Sequence, residues 1–102
     1  MNYRVFYTAN VRAEIGAQVD YLRGRAVSEA VIENWFARLL NKIDDLYEWP
    51  RSNPVDEAQT AKEGVEIRKL TFGDYLVRYH VDDDRQVVEV LSFIHGARRR
   101  ER

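Results

Sequence analysis

Several residue types and patterns are missing from this sequence, and each absence excludes a class of protein. There is no cysteine, which excludes a disulfide framework and any metal site built on thiolates. No apolar run approaches the roughly 18 residues of a transmembrane helix. The first residues, MNYRVFYTANVR, lack the apolar segment of a signal peptide. We therefore expect a cytoplasmic protein that does not contact a membrane.

The sequence also lacks a surplus of positive charge. Its 16 lysines and arginines are balanced by 17 acidic residues, which gives a net charge of −1. Proteins that bind RNA or DNA through the phosphates usually carry more basic than acidic residues. The only dense basic cluster is at the end of the chain, where Arg98, Arg99, Arg100 and Arg102 lie.

The common catalytic signatures are absent as well. The sequence contains no glycine-rich phosphate loop, no His-Glu-x-x-His motif and no Gly-x-Ser-x-Gly motif. His80 and His95 are the only imidazoles, so a metal site would need carboxylates to complete it. We expect neither a metal ion nor another cofactor.

The most informative stretch that is present spans residues 65–99 and predicts three consecutive strands. Residues 75–81 alternate strictly, as in a strand with one buried face, and residues 87–94 are apolar almost throughout, as in an inner strand. The turns at residues 73–74 and 82–85 are too short for a crossover helix, so neighbouring strands must be antiparallel. This meander needs a covering layer on its apolar face.

The first half of the chain predicts that layer. A short aromatic strand comes first, and Thr8 or Asn10 can cap the amphipathic helix that follows. Gly24 is expected to end this helix, and Ser28 to cap a second, longer one that stops at Pro50. The short link between the helices makes them an antiparallel hairpin.

The predicted fold is therefore one α+β domain of residues 1–102, with element order β-α-α-β-β-β and the helical hairpin packed on one antiparallel sheet. The expected elements are a strand at 3–7, helices at about 9–24 and 28–48, a surface loop at 50–64 with a helical turn near 56–62, and strands at 65–72, 75–82 and 86–95.

Some side chains have both a structural and a functional interpretation. Trp35 and Phe36 fall on the apolar stripe of the second helix and are expected in the core. Arg68 and Arg78, on adjacent strands, could bridge nearby carboxylates or, on one sheet face, form an anion-binding surface. His95 could close the last strand through a hydrogen bond, or act as a proton donor or polar contact.

The order and spacing of these features resemble the RelE/ParE toxin superfamily. The residues that carry the resemblance are Glu66 with Arg68, the strand YLVRYHV at 75–81, the segment VLSFIHGAR at 90–98, and Leu46 followed by Pro50. The resemblance spans almost the whole chain. It implies the toxin of a bacterial type II toxin–antitoxin pair, in a hetero-oligomer with a cognate antitoxin whose extended or helical tail wraps the toxin.

Within that superfamily, the chain looks closer to the ParE branch, whose members poison DNA gyrase. RelE-like members cut messenger RNA in the ribosome with a strongly basic sheet face and a C-terminal Tyr or His. Here lysines are few, no tyrosine follows the last strand, and the net charge is −1. The ParE resemblance implies no catalytic residues and a target contact made by Arg68, Arg78, His95, Arg98, Arg99 and Arg100.

Two alternatives stay open. Some superfamily ribonucleases resemble a Glu/Arg/His arrangement, which here would place Glu66 or Glu89 as base, Arg68 as phosphate clamp and His95 as acid. The target would then be the ribosome and its mRNA. A degenerate paralogue that only binds a partner is the other alternative.

Overall fold

The structure, a computed structural model, describes residues 2–96. Its elements are strand β1 (Arg4–Tyr7), helix α1 (Ala9–Gly24), helix α2 (Glu29–Asp44) with a 3-10 turn after it (Asp45–Tyr47), helix α3 (Glu57–Glu63), and strands β2 (Arg68–Phe72), β3 (Tyr75–Asp82) and β4 (Val87–His95). The order β-α-α-β-β-β and the α+β class are as the sequence predicts.

The sheet has four strands in the order β1-β4-β3-β2 and is mixed, not antiparallel throughout. β2, β3 and β4 form the predicted antiparallel meander, but β1 runs parallel to β4. A parallel pair needs a long connection between its strands, and the helical hairpin with the meander supplies it. The prediction of a wholly antiparallel sheet is wrong for β1, because strand patterning alone does not reveal the direction of a distant neighbour.

The hairpin turn between β2 and β3 contains Gly73 and Asp74, as predicted. Phe72 pairs with Tyr75, so the loop has two residues, and Gly73 has a φ of +57°. Glycine at the first central position is the requirement of a type II′ turn, whose twist matches that of the flanking strands.

A β-bulge in β4 changes which of its side chains face the helices. Ser92 pairs with Arg78, but Val90 pairs with the very next residue of β3, so Leu91 is the extra residue. Val90 and Phe93 therefore both lie in the core although they are three residues apart.

Two side chains in the first half of α1 form hydrogen bonds with the backbone of β4, beyond the point where its neighbour β1 ends. Asn10 donates from Nδ2 to the carbonyl of Leu91 at 2.8 Å, and the Phe93 N–H donates to Glu14 Oε1 at 2.8 Å. These two hydrogen bonds take the place of those that a neighbouring strand would make. They therefore protect a part of the β4 edge that could otherwise pair with another chain.

The core lies between the two long helices and one face of the sheet. Trp35 of α2 contacts the rings of Phe72, Tyr75 and Phe93 edge-on, with centroids 5.8–6.2 Å apart. It packs against the core in which the sequence placed it, but it is only partly buried. The buried members of this cluster are Val11, Ile15, Leu39, Ile43, Leu46, Leu70, Val77, Tyr79, Val81, Val88, Val90 and Phe93.

The connection between α1 and α2 is a Schellman motif with an unusual residue. The N–H of Val27 donates to the Leu22 carbonyl, that of Ala26 to the Arg23 carbonyl, and Ala26 has a φ of +61°. The sequence predicts that Gly24 ends the helix, and Gly24 is the last helical residue, but an alanine occupies the left-handed position beyond it.

Replacing Ala26 with glycine should therefore stabilise the protein by about 1 kcal/mol, because an L-residue in the left-handed region carries a steric cost that glycine avoids. Urea unfolding of the wild type and of Ala26→Gly measures this difference. Ala30→Gly, inside α2, is the control and should destabilise by about 1 kcal/mol. An Ala26→Gly midpoint at or below that of the wild type would contradict the assignment.

The segment at 50–64, predicted as a loop with a helical turn near 56–62, contains α3. Asp56 caps this helix by accepting from the Gln59 N–H, and Gly64 ends it with a φ of +80°. The Thr60 hydroxyl bonds the N–H of Ile67, so β2 begins only at Arg68, three residues later than the sequence predicts.

Candidate functional site

The two long helices leave an open groove between them, with a volume of about 490 Å³. Its α1 side is formed by residues that recur every three or four positions, and so is its α2 side, as expected for two facing helical stripes. The lining residues are Tyr7, then Arg12, Ile15, Gly16, Val19, Asp20 and Arg23 of α1, and Ile32, Glu33, Phe36 and Leu40 of α2.

Phe36 belongs to this groove and not to the core, where the sequence placed it. Its side chain is 38% exposed, whereas Leu39 and Ile43 are buried. The apolar stripe of α2 is broader than one interface needs, so part of it faces the sheet and part faces the groove. A stripe of this width is the signal for a second contact surface, and the sequence prediction did not use it.

Tyr7 forms one end of the groove and is fixed by α2. Its hydroxyl donates to Asp44 Oδ1 at 2.6 Å. Burial and the neighbouring carboxylate both raise the pKa of Tyr7 above its ordinary value, so the phenol stays protonated and remains a donor.

Arg68 lies on the helix-facing side of the sheet and is only 15% exposed. Its Nε donates to Glu66 Oε1 at 3.1 Å, and Nη1 donates to the carbonyl of Asn53 at 2.6 Å and to that of Arg51 at 3.3 Å. The guanidinium therefore organises the loop after α2, with the carboxylate of Glu66 beside it.

Arg78 lies on the outer side of the sheet, together with α3. Its Nε donates to Asp56 Oδ2 at 3.0 Å, and the two side chains are 21% and 10% exposed. Burial opposes the ionisation of Asp56, but the hydrogen bonds from the Gln59 amide and from Arg78 outweigh it and lower the pKa of Asp56.

The two arginines do not form a common anion-binding surface. Arg68 is opposite Tyr79 in the β2–β3 ladder, whereas Arg78 is opposite Lys69, and successive residues of a strand point to opposite faces. Of the two interpretations of the sequence, the structure agrees with the one in which each arginine bridges a carboxylate.

His95 lies at the far end of the sheet from Glu66 and Arg68. It is opposite Tyr75, and their rings meet edge-on at 5.2 Å. Arg68 is opposite Tyr79, which lies four residues, or about 13 Å, further along β3 than Tyr75. Arg68 and His95 are also two strands apart, which adds a separation of roughly 10 Å across the sheet. The structure brings Glu66 and Arg68 together but not His95.

The surroundings of His95 form a shallow cavity of about 390 Å³ beside α1. It is lined by Ala13, Glu14, Ala17, Gln18, Tyr21, Tyr75, Phe93 and His95. Gln18 Nε2 donates to the Tyr75 hydroxyl at 2.7 Å. The remaining predicted contacts, Arg98, Arg99 and Arg100, lie outside the described residues.

Several charges on the outer side of the sheet form ion pairs. Arg85 lies 3.5 Å from a carboxylate oxygen of Asp82 and 3.7 Å from one of Glu89, the other candidate base. Together with the pair of Arg78 and Asp56, these contacts engage two cations of this face in ion pairs, and Lys69, opposite Arg78, lies on the same face. Nowhere in residues 2–96 do three or more His, Asp or Glu side chains cluster so that they could bind a metal ion.

Trp49 is the most exposed large apolar side chain in residues 2–96, at 66%. It follows the 3-10 turn and lines a small depression with Tyr3, Pro50 and Arg51. None of the helices within residues 2–96 has both the length and the apolar character needed to cross a bilayer.

Comparison with known proteins gives the same fold. The toxin of the Mycobacterium tuberculosis RelBE2 complex is 18% identical with a TM-score of 0.61, covering 93% of this chain and 99% of that one. One chain of the archaeal RelE–RelB complex of Pyrococcus horikoshii is 19% identical with a TM-score of 0.58, covering 96% of this chain and 99% of that one. An E. coli RelE mutant in the free state is 22% identical with a TM-score of 0.56, covering 94% and 85%.

Sequence comparison is more specific than the fold. No curated protein matches the sequence. The family described as the ParE toxin of the type II toxin–antitoxin system parDE matches residues 5–100. This chain therefore belongs to the ParE toxin family and is the toxin component of a type II toxin–antitoxin system.

Proposed function

We propose that this protein acts in the bacterial cytoplasm as an inhibitor of DNA gyrase and is neutralised by a cognate antitoxin. The family match over residues 5–100 supports this proposal. The observation that carries it is that Arg68, the phosphate clamp of the nuclease alternative, is engaged by partners within the protein, and so is Arg78.

On this proposal, the toxin performs no bond chemistry. It binds gyrase and either blocks its DNA reaction or traps the cleaved intermediate through a protein–protein contact. The residues that we expect to touch gyrase are His95, Arg98, Arg99 and Arg100. Arg68 and Arg78, also predicted as contacts, would contribute only after exchanging their present partners.

The groove between α1 and α2 is the proposed antitoxin site. Its middle is apolar, with Ile15, Val19 and Phe36, and charged residues lie towards its ends. An amphipathic helix laid into an apolar groove is a common mode of recognition. Binding there gives the predicted hetero-oligomer, in which the antitoxin covers apolar surface that the free toxin leaves exposed.

Purified protein should inhibit the supercoiling of relaxed plasmid by gyrase, and the product of the adjacent upstream reading frame should restore it. The same preparation should leave mRNA intact in a translation extract. Full supercoiling activity together with mRNA cleavage would reject the gyrase proposal.

A second candidate is a RelE-like, ribosome-dependent mRNA endonuclease, which the RelE fold of the solved relatives favours. Its reaction would use Glu66 as base, Arg68 as phosphate clamp and His95 as acid. Cleavage by the wild type that is lost in Glu66→Gln and in His95→Ala would establish it. The distance between Arg68 and His95 argues against this candidate.

A further inference from the structure

Gly16 occupies a position that nothing inside the protein explains. It lies in the interior of α1, where glycine destabilises a helix relative to alanine. Apart from the neighbouring backbone of α1 itself, a Cβ built on Gly16 would have no heavy atom within 4 Å, so no packing neighbour requires its absence. The residue lines the groove, and the space over it is empty.

The surface around Gly16 is suited to an inserted apolar side chain. Ile15 and Val19 flank it on α1, and Phe36 lines the groove from α2 with 38% of its side chain exposed. A volume of about 490 Å³ accommodates several large side chains. Gly16 thus creates a hole in the wall of the groove where a partner residue can pack.

An arginine lies at each end of the groove, but only one of the two is paired with carboxylates in the part of the chain that the structure describes. Arg23, at one end, donates to Glu29 Oε2 at 2.8 Å and lies 3.9 Å from Asp20. Arg12, at the other end, pairs with no carboxylate within residues 2–96. A partner in the groove would meet an uncompensated cation at the Arg12 end only, which also gives it a preferred direction.

We propose that the antitoxin segment is a helix that places a large apolar side chain over Gly16, between α1 and α2, and a carboxylate on Arg12. This inference rests on the proposed neutralisation by an antitoxin. It makes Gly16 and Arg12 the residues that select the partner: Gly16 by shape, and Arg12 by charge.

Gly16→Leu tests the shape requirement, and Gly24→Leu is its matched control. Gly24 is also a helical residue of α1 at which an added Cβ would meet open space, but it does not line the groove. Leucine favours helix, so Gly16→Leu should raise Tm by roughly 4–8 °C, and Gly24→Leu, at the last helical residue, should raise it by less. Only Gly16→Leu should weaken binding of the purified upstream gene product, by about 10-fold or more in calorimetric titration.

Three further variants cover the charge requirement, its control and a milder change of shape. Arg12→Glu should weaken antitoxin binding about 10-fold or more, and Lys42→Glu, with the same change of charge on the exposed side of α2, should leave it within about twofold. Gly16→Ala, which keeps most of the space, should have an intermediate effect. It serves as the test if Gly16→Leu does not fold.

The outcomes distinguish a failure of this inference from a failure of the proposed neutralisation by an antitoxin. Equal affinities for the wild type, Gly16→Leu and Arg12→Glu would overturn the inference while leaving the antitoxin pairing intact. No binding of the upstream gene product to the wild type would overturn both. Equal weakening by Gly16→Leu and Gly24→Leu would show that rigidity of α1, and not the hole at Gly16, controls binding, and would also overturn it.

Discussion

Leu39→Ala should lower the free energy of unfolding by about 3–5 kcal/mol, because it removes a fully buried side chain and leaves a cavity that the helix and sheet cannot close. Leu39 is part of the cluster that joins α1, α2 and the sheet. Urea unfolding followed by circular dichroism measures the loss.

Leu40→Ala is the matched control for this prediction. Leu40 is the next residue along α2, but it is partly exposed and lines the groove. Its truncation should cost only about 1 kcal/mol of stability, because much of its surface already meets solvent. It should nevertheless weaken antitoxin binding, which Leu39→Ala should change little while the protein stays folded. Equal losses of stability would contradict the division between core and groove.

Asp56→Ala should destabilise the protein by about 2–3 kcal/mol. One part is the lost N-cap of α3, about 1 kcal/mol, and the other is the partly buried guanidinium of Arg78 left without its carboxylate. The double variant Asp56→Ala/Arg78→Met should recover much of the second part, because it removes the orphaned charge as well.

The effect of Asp56→Ala should also depend on pH. Because folding lowers the pKa of Asp56, its carboxylate stabilises the protein above the pKa that it has when unfolded, and this contribution is lost as pH falls through the folded pKa. The difference between wild type and variant should therefore be constant near neutral pH and shrink below about pH 4. A difference that grows on acidification would contradict the pairing.

Local patterns in the sequence predict most of the fold. The alternation at residues 75–81, the turn at Gly73 and Asp74, and the helix caps Thr8 and Ser28 all depend on neighbouring residues, and the structure has each of them. The features that the sequence did not predict depend on distant contacts. β1 pairs in parallel because β4 offers it an unpaired edge, and the bulge at Leu91 depends on how β4 pairs with its neighbours.

The candidate site was harder to predict, for the same reason. That Arg68 and Arg78 point to opposite faces depends on the parity of the β2–β3 register, which spacing along the chain does not reveal. The groove requires the positions of both helices, because Phe36 looks like any other member of an apolar stripe. The absence of a basic surplus, in contrast, could be counted directly, and it is the sequence feature that favours gyrase over RNA as the target.

The most direct test of a toxin that acts by contact, without a reactive centre, is brief induction of the gene in bacteria. A DNA-damage reporter and the incorporation of labelled amino acids are followed in the same culture over the first minutes. The account predicts that the damage response rises while protein synthesis continues, and that co-induction of the antitoxin prevents it. Immediate arrest of protein synthesis with cleaved mRNA and no damage response would contradict it.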